Sequence, residues 1–152
     1  MLLLMIIVDG SWCLDSPALV VILLYNCVYK NTISKIIIYR YHMKVIFSIS
    51  NPATKEFLWT RHNIGRIFVS QHLLKNINNQ EHNHNKYKSY TFPQYPNLIV
   101  CTSETYMNLS GQAVAAFFKR NPNISKQNLM VVHDDLEHKF GNVRIKKGGS
   151  AQ

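Results

Sequence analysis

The chain has 152 residues, 47% of them hydrophobic and 16% charged, which describes one globular domain with a modest core and leaves no room for two. The 17 Lys and Arg outnumber the 8 Asp and Glu, for a formal charge of +9; such an excess favours a polyanionic partner, most often nucleic acid. Cys13, Cys27 and Cys101 are widely spaced and include no CxxC pair, so neither a disulfide framework nor a zinc site is indicated, and a reducing compartment fits best.

Two apolar runs, "MLLLMIIV" at 1–8 and "PALVVILLYNCVY" at 17–29, open the chain. Each is shorter than the roughly 20 residues that span a bilayer, so a membrane anchor is not expected. A secretory signal needs a basic start, yet no base precedes Lys30; a mitochondrial presequence is Arg-rich, yet Arg40 is the only arginine before Met43. Residues 1–42 are read as an apolar extension outside the domain; the alternative to a targeting segment is that they are not native sequence and that Met43 is the true start.

From Lys44, "KVIFSIS" is a short, β-branched, apolar run with the character of a buried strand. Asn51-Pro52 breaks it. After a loop, Ile64, Phe68, Val69, Leu73 and Ile77 recur at helical spacing. Residues 78–97, "NNQEHNHNKYKSYTFPQYPN", are too long and polar for an ordinary connection; they are either mobile or hide a hairpin. His82 and His84 within them lack a third ligand at metal spacing and are read as solvated loop residues. "LIVCT" at 98–102 is a second buried strand. Val114, Phe117 and Phe118 then share a helical face that ends at Asn121-Pro122. "NLMVV" is a third strand, leading directly into His133, Asp134 and Asp135.

Strands separated by helices predict an α/β fold, a single-domain mixed sheet flanked by helices, with ligands at the strand carboxyl ends. Asn51, Asn108 and Asp134 each follow a strand, and His62 starts the helix after the Asn51 loop, so one crevice could hold all four. A histidine, with a reference pKa of about 6.5, can take a proton from water near neutrality. An aspartate can hold its ring. Asparagines can donate to a carbonyl or oxyanion. Each also has a structural alternative: Asn108 as a helix cap, Asp134 as a turn residue, His62 as a packed histidine. With no serine or cysteine evidently paired to His62, direct attack by water is the economical chemistry.

"SNPATKEFLWTRHNIG", "YMNLSGQAV" and "VVHDDLEHKFGNVRIKKGGSA", in that order, resemble the bacterial and organellar peptidyl-tRNA hydrolase family over Met43 to Gln152. The resemblance implies a metal-free, cofactor-free hydrolase that cleaves the ester between a peptide and the tRNA 3′ end and so recycles tRNA from aborted translation. His62 and Asp134 match the catalytic pair. Asn51, Phe57, Met107 and Asn108 match substrate-binding positions.

Arg144 and Lys146 match tRNA-binding positions, and in "NVRIKK" they alternate with Val143 and Ile145, so a strand would send the apolar pair one way and the basic pair the other. The implied partner is peptidyl-tRNA, an RNA and not DNA, bound by a monomer. The implied setting is soluble, in the cytoplasm or the mitochondrion. The alternative is a non-catalytic RNA-binding relative such as an intron-splicing factor.

The departures are specific. Ala53 stands where the family usually has Gly, the loop from Asn51 to His62 is one residue longer, and Phe57 replaces a usual Tyr. The chain stops at "KKGGSAQ", before the family's Gly-His-Asn-Gly, a third substrate-side asparagine, a later core strand and the closing helices. Residues 43–152 are thus expected to form a partial domain, incomplete at the C-terminus. The chain as written is expected to be insoluble or nearly inactive, and to regain activity when extended with a relative's closing segment.

Overall fold

The computed structural model describes residues 4–8, 43–136 and 143–147. Its described strands are β1 (Leu4–Val8), β2 (Lys44–Ser48), β3 (Gln80–Asn83), β4 (Tyr87–Phe92), β5 (Tyr95–Ser103), β6 (Leu129–His133) and β7 (Val143–Lys147). They join one mixed sheet in the order β3-β4-β5-β2-β6-β1-β7. β2 is central and parallel to both β5 and β6, while β3 and β4 add antiparallel strands beyond β5.

Strand β2 alternates its side chains between two cores, as a sheet covered on both faces must. Val45 and Phe47 pack with Tyr87, Cys101, Ala113 and Phe117. Ile46 lies on the opposite face, against Val100, Met130 and Val132 with Ile64, Phe68, Val69 and Leu73. The first cover is helix α2 (Ser110–Arg120) and the second begins with helix α1 (Ile64–Phe68). The expected helix through Ile77 is shorter than its apolar spacing suggests. After Phe68 it widens into a π-helical turn, Val69–Leu74, and ends where Asn76 takes a positive φ of 65°, a usual role for asparagine past a helix end.

The long polar stretch resolves as the hairpin β3–β4. This corrects the loop reading of His82, which is solvated but on a strand; His84 does lie in the turn that joins the two strands, half-buried rather than solvated. His82 lies within β3 and meets Thr91 Oγ1 at 3.2 Å; His84 stacks on Tyr87, centroids 4.3 Å apart, and meets Ser89 Oγ at 3.0 Å. Burial of that ring, with Arg120 and His82 nearby, lowers the His84 pKa. A second difference falls in the apolar extension: Leu4–Val8 forms β1, antiparallel to β6 and parallel to β7. Residues 9–42, which hold the second apolar run, lie outside the described residues.

Candidate functional site

Chain connectivity makes the carboxyl end of β2 a crevice. The chain leaves β2, covers one face with α1 and returns as β5 on one side; it then crosses the other face through α2 and enters β6 on the opposite side. Where successive connections diverge in this way, the loops separate and leave room for a ligand. Asn51, the Met107–Leu109 turn and Asp134 all lie just beyond those three strand ends.

The loop after β2 is short-range in its bonding. Thr54 N donates to Pro52 O at 2.8 Å, and Leu58 N to Thr54 O at 2.9 Å. The tight turn centred on Ala53 needs no left-handed residue, since Asn76 is the only non-glycine with positive φ among the described residues; an inverse γ-turn admits alanine. Asn63 N bonds to Thr60 O at 3.0 Å, setting a 3-10 turn at Arg61–Asn63 that runs directly into α1.

That turn presents His62 to Asp134. Their Nδ1 and Oδ2 atoms are 2.9 Å apart, with the Asp134 side chain 1% exposed and that of His62 45% exposed. A carboxylate can only accept, so Nδ1 is the donor of this pair, and in the neutral ring that tautomer places the lone pair on Nε2. Asp134 Oδ1 is buried without a hydrogen-bond partner among the described residues, so the imidazole is the one group seen satisfying this carboxyl. Arg61 Nη2 donates to Asp135 O at 3.2 Å and fastens the same two loops a second time.

A relay of amides joins the third loop. Asn63 is fully buried, and its Oδ1 accepts from Asn51 N at 2.7 Å. Asn51 Oδ1 in turn accepts from Met107 N at 2.8 Å. With its carbonyl engaged, the Asn51 side chain has its Nδ2 group as the available donor. Phe57 and Tyr106 pack edge to face across the same gap, centroids 6.2 Å apart and planes at 88°. Asn108 is exposed beside Met107 and does not cap α2, whose N-cap is Leu109. The cap alternative is thereby corrected, because the 3-10 turn moves the helix start past Asn108.

Asn51, Phe57, His62, Met107 and Asp134 are therefore linked by direct or one-step contacts, with Asn108 adjacent. Arg144 and Lys146 lie apart from these contacts on β7, both exposed, with Ile145 packed against the core. The expected alternation holds for these three, while Val143 is exposed. Asn63 and Arg66 were not singled out from the sequence; the only local sign of either is a polar residue within a buried helical run. Among the described residues no group of three or more His, Cys, Asp or Glu could hold a metal ion. Cys101 is buried, which pushes its thiol pKa up and away from nucleophilic use.

A solvent-open histidine held by a buried aspartate, at the switch point of a doubly covered α/β sheet, defines a site suited to acid–base chemistry. The chain belongs to the peptidyl-tRNA hydrolase family, whose profile matches residues 45–152. It is 38% identical over 109 residues to the peptidyl-tRNA hydrolase of Campylobacter curvus, which covers 72% of this chain and 56% of that protein. It is similar to that of Corynebacterium efficiens, 37% identical over 108 residues, covering 69% of this chain and 57% of the other. For Finegoldia magna the identity is 39% over 112 residues, with 72% and 57% covered. The chain thus spans little more than half the length of these relatives. No solved structure matches it. All three relatives carry the hydrolase name, and none favours the splicing-factor alternative.

Proposed function

We propose that this protein hydrolyses the ester between peptide and tRNA, returning free tRNA to translation. The observation that carries the reading is the His62–Asp134 bond of 2.9 Å, which engages Nδ1 and leaves Nε2 of a half-exposed ring free to act as the acceptor in the neutral form. Nε2 takes a proton from water as the water oxygen attacks the ester carbonyl. The tetrahedral oxyanion accepts hydrogen bonds from the amides of Asn51 and Asn108. The carbonyl then re-forms, the ester C–O bond breaks, and His62 returns its proton to the departing ribose oxygen. Asp134 orients the ring and stabilises its charged form. Phe57 and Met107 line the substrate side.

The domain so assigned begins at Met43, two residues before the family match, and β1 is a strand contributed by the preceding segment. The protein acts as a monomer on RNA rather than DNA, without a metal, in the cytoplasm or the mitochondrion. No helix among the described residues is long and apolar enough to cross a membrane.

The direct test uses N-acetylaminoacyl-tRNA and follows release of the acylated amino acid. Release above background that is lost in His62→Ala supports the reading, even if slow. Release no faster than the uncatalysed rate, or equal in the variant, overturns it for this chain.

Arg144 and Lys146 are proposed to meet tRNA phosphates. Replacing both with Ala should weaken tRNA binding and reduce its log–log salt slope by about two, one for each lost contact. Binding measured at several salt concentrations checks this, and an unchanged slope would leave this face merely solvated.

A further inference from the structure

Arg66 is a buried charge that neither the pair nor the amide relay uses. It lies on α1 four residues after His62, is 9% exposed, and sits among the apolar residues Ile64, Ile67 and Phe68. Its Nη1 donates to Glu104 Oε1 at 2.8 Å. Its Nη2 donates to the Ser103 carbonyl. Its Nε is buried without a partner among the described residues. Burying a guanidinium under these conditions costs several kcal/mol that a leucine or methionine would avoid, so packing alone does not account for it.

What the guanidinium holds is the start of the β5–α2 loop. Ser103 ends β5, and its Oγ meets Thr105 Oγ1 at 2.9 Å and Ser110 Oγ at 3.5 Å. Glu104 N donates to Lys86 O at 2.9 Å. Between Thr105 and Ser110 lies the Met107–Leu109 turn, clamped from its other side by Asn51 Oδ1 on Met107 N. The turn bearing Met107 and Asn108 is thus gripped twice. One grip comes from the loop preceding His62 and the other from the helix following it.

We propose that Arg66 is a positioning residue: through Ser103 and Glu104 it fixes the Met107–Asn108 turn relative to the helix that begins beside His62. Its consequence for turnover rests on the proposed hydrolysis; its consequence for the turn does not. A fork of fixed donors is suited to this, because it engages a carbonyl and a carboxylate together and so fixes the orientation of both.

The full chain is compared with Arg66→Met and with Glu104→Gln, which keeps an acceptor and removes the charge. Amide hydrogen exchange is read at Met107 and along residues 105–110, with β2 and β6 as internal reference. In Arg66→Met we expect protection at Met107 to fall about tenfold or more while the reference strands keep theirs, and in Glu104→Gln a smaller loss at the same amides. A uniform loss over all strands, or none at Met107, would overturn the proposal. If Arg66→Met does not fold, Glu104→Gln alone decides it by the same measurement.

Turnover supplies the second reading. Arg66→Met should raise KM in the wild-type background and have little further effect on KM beside Asn108→Ala, since coupled residues are non-additive. Equal effects in both backgrounds would assign Arg66 a purely structural role. A wild-type chain without hydrolase activity would defeat the functional reading while the exchange result still decides the positioning.

Discussion

In the chain extended with a relative's closing segment, replacing His62 with alanine should lower hydrolysis of a peptidyl-tRNA by about a hundredfold or more, the usual scale for a lost general base, while leaving folding largely intact. Activity and stability separate here because the His62 side chain is almost half exposed and its removal opens no core cavity. The partner behaves differently. Asp134 is buried, and with alanine at 62 its carboxyl loses the one hydrogen bond seen among the described residues. Some loss of stability from this orphaned buried carboxyl is therefore expected in His62→Ala, and it should be relieved in the double variant with Asp134→Asn. Turnover of purified peptidyl-tRNA and thermal melts of the single and double variants check both parts. Near-normal turnover by His62→Ala would remove the histidine from the mechanism.

Much of the architecture was legible because it rests on local patterns. The buried strands β2, β5 and β6 are short apolar runs, and their placement between helical segments carried the prediction of a mixed α/β sheet. The three motifs carried the family. The hairpin was less legible for a physical reason: every residue of β3, Gln80–Asn83, is exposed, so that strand has no apolar alternation to betray it. The π turn after Phe68 is likewise invisible to spacing, since an apolar face tolerates one widened turn.

At the site, the residues that line the crevice and the aspartate beneath the histidine could be named from sequence, but their other supports could not. Asn63 acts on a residue 12 positions away and Arg66 on one 38 away, and neither separation follows from a periodic pattern. The pairing of β1 with β6 and β7 lay equally beyond a reading of an eight-residue apolar run, because edge partners of a strand are chosen by the whole sheet.

Gly65 provides the largest expected effect on stability and joins it to the site. The residue is buried in the first turn of α1, three positions after His62, where the helix backbone lies close against the sheet. A Cβ there would lie 2.7 Å from Ser48 Oγ, 2.7 Å from Val132 O and 3.3 Å from Ile49 O. The serine hydroxyl can rotate away; the carbonyl cannot, because Val132 O accepts from Ile49 N at 3.0 Å and ties the end of β2 to β6. Relief must therefore come from α1 moving outward.

Helix propensity argues the other way, since alanine is favoured over glycine by about 1 kcal/mol inside a helix. Forcing extra atoms into a packed contact costs about 1–3 kcal/mol, and here two contacts fall below the closest approach of ordinary carbon. The clash should win. Gly65→Ala is expected to lower stability by up to about 2 kcal/mol net, and Gly65→Val by more, with the melting temperature falling by several degrees. The outward shift also draws the preceding turn from Asp134, so hydrolysis should fall further than the lost folded fraction explains, since small displacements of a catalytic group are costly. Denaturant melts alongside turnover per folded molecule test the two claims separately. A Gly65→Ala protein that melts at or above the parent temperature and turns over normally would show that helix and sheet have slack at this contact.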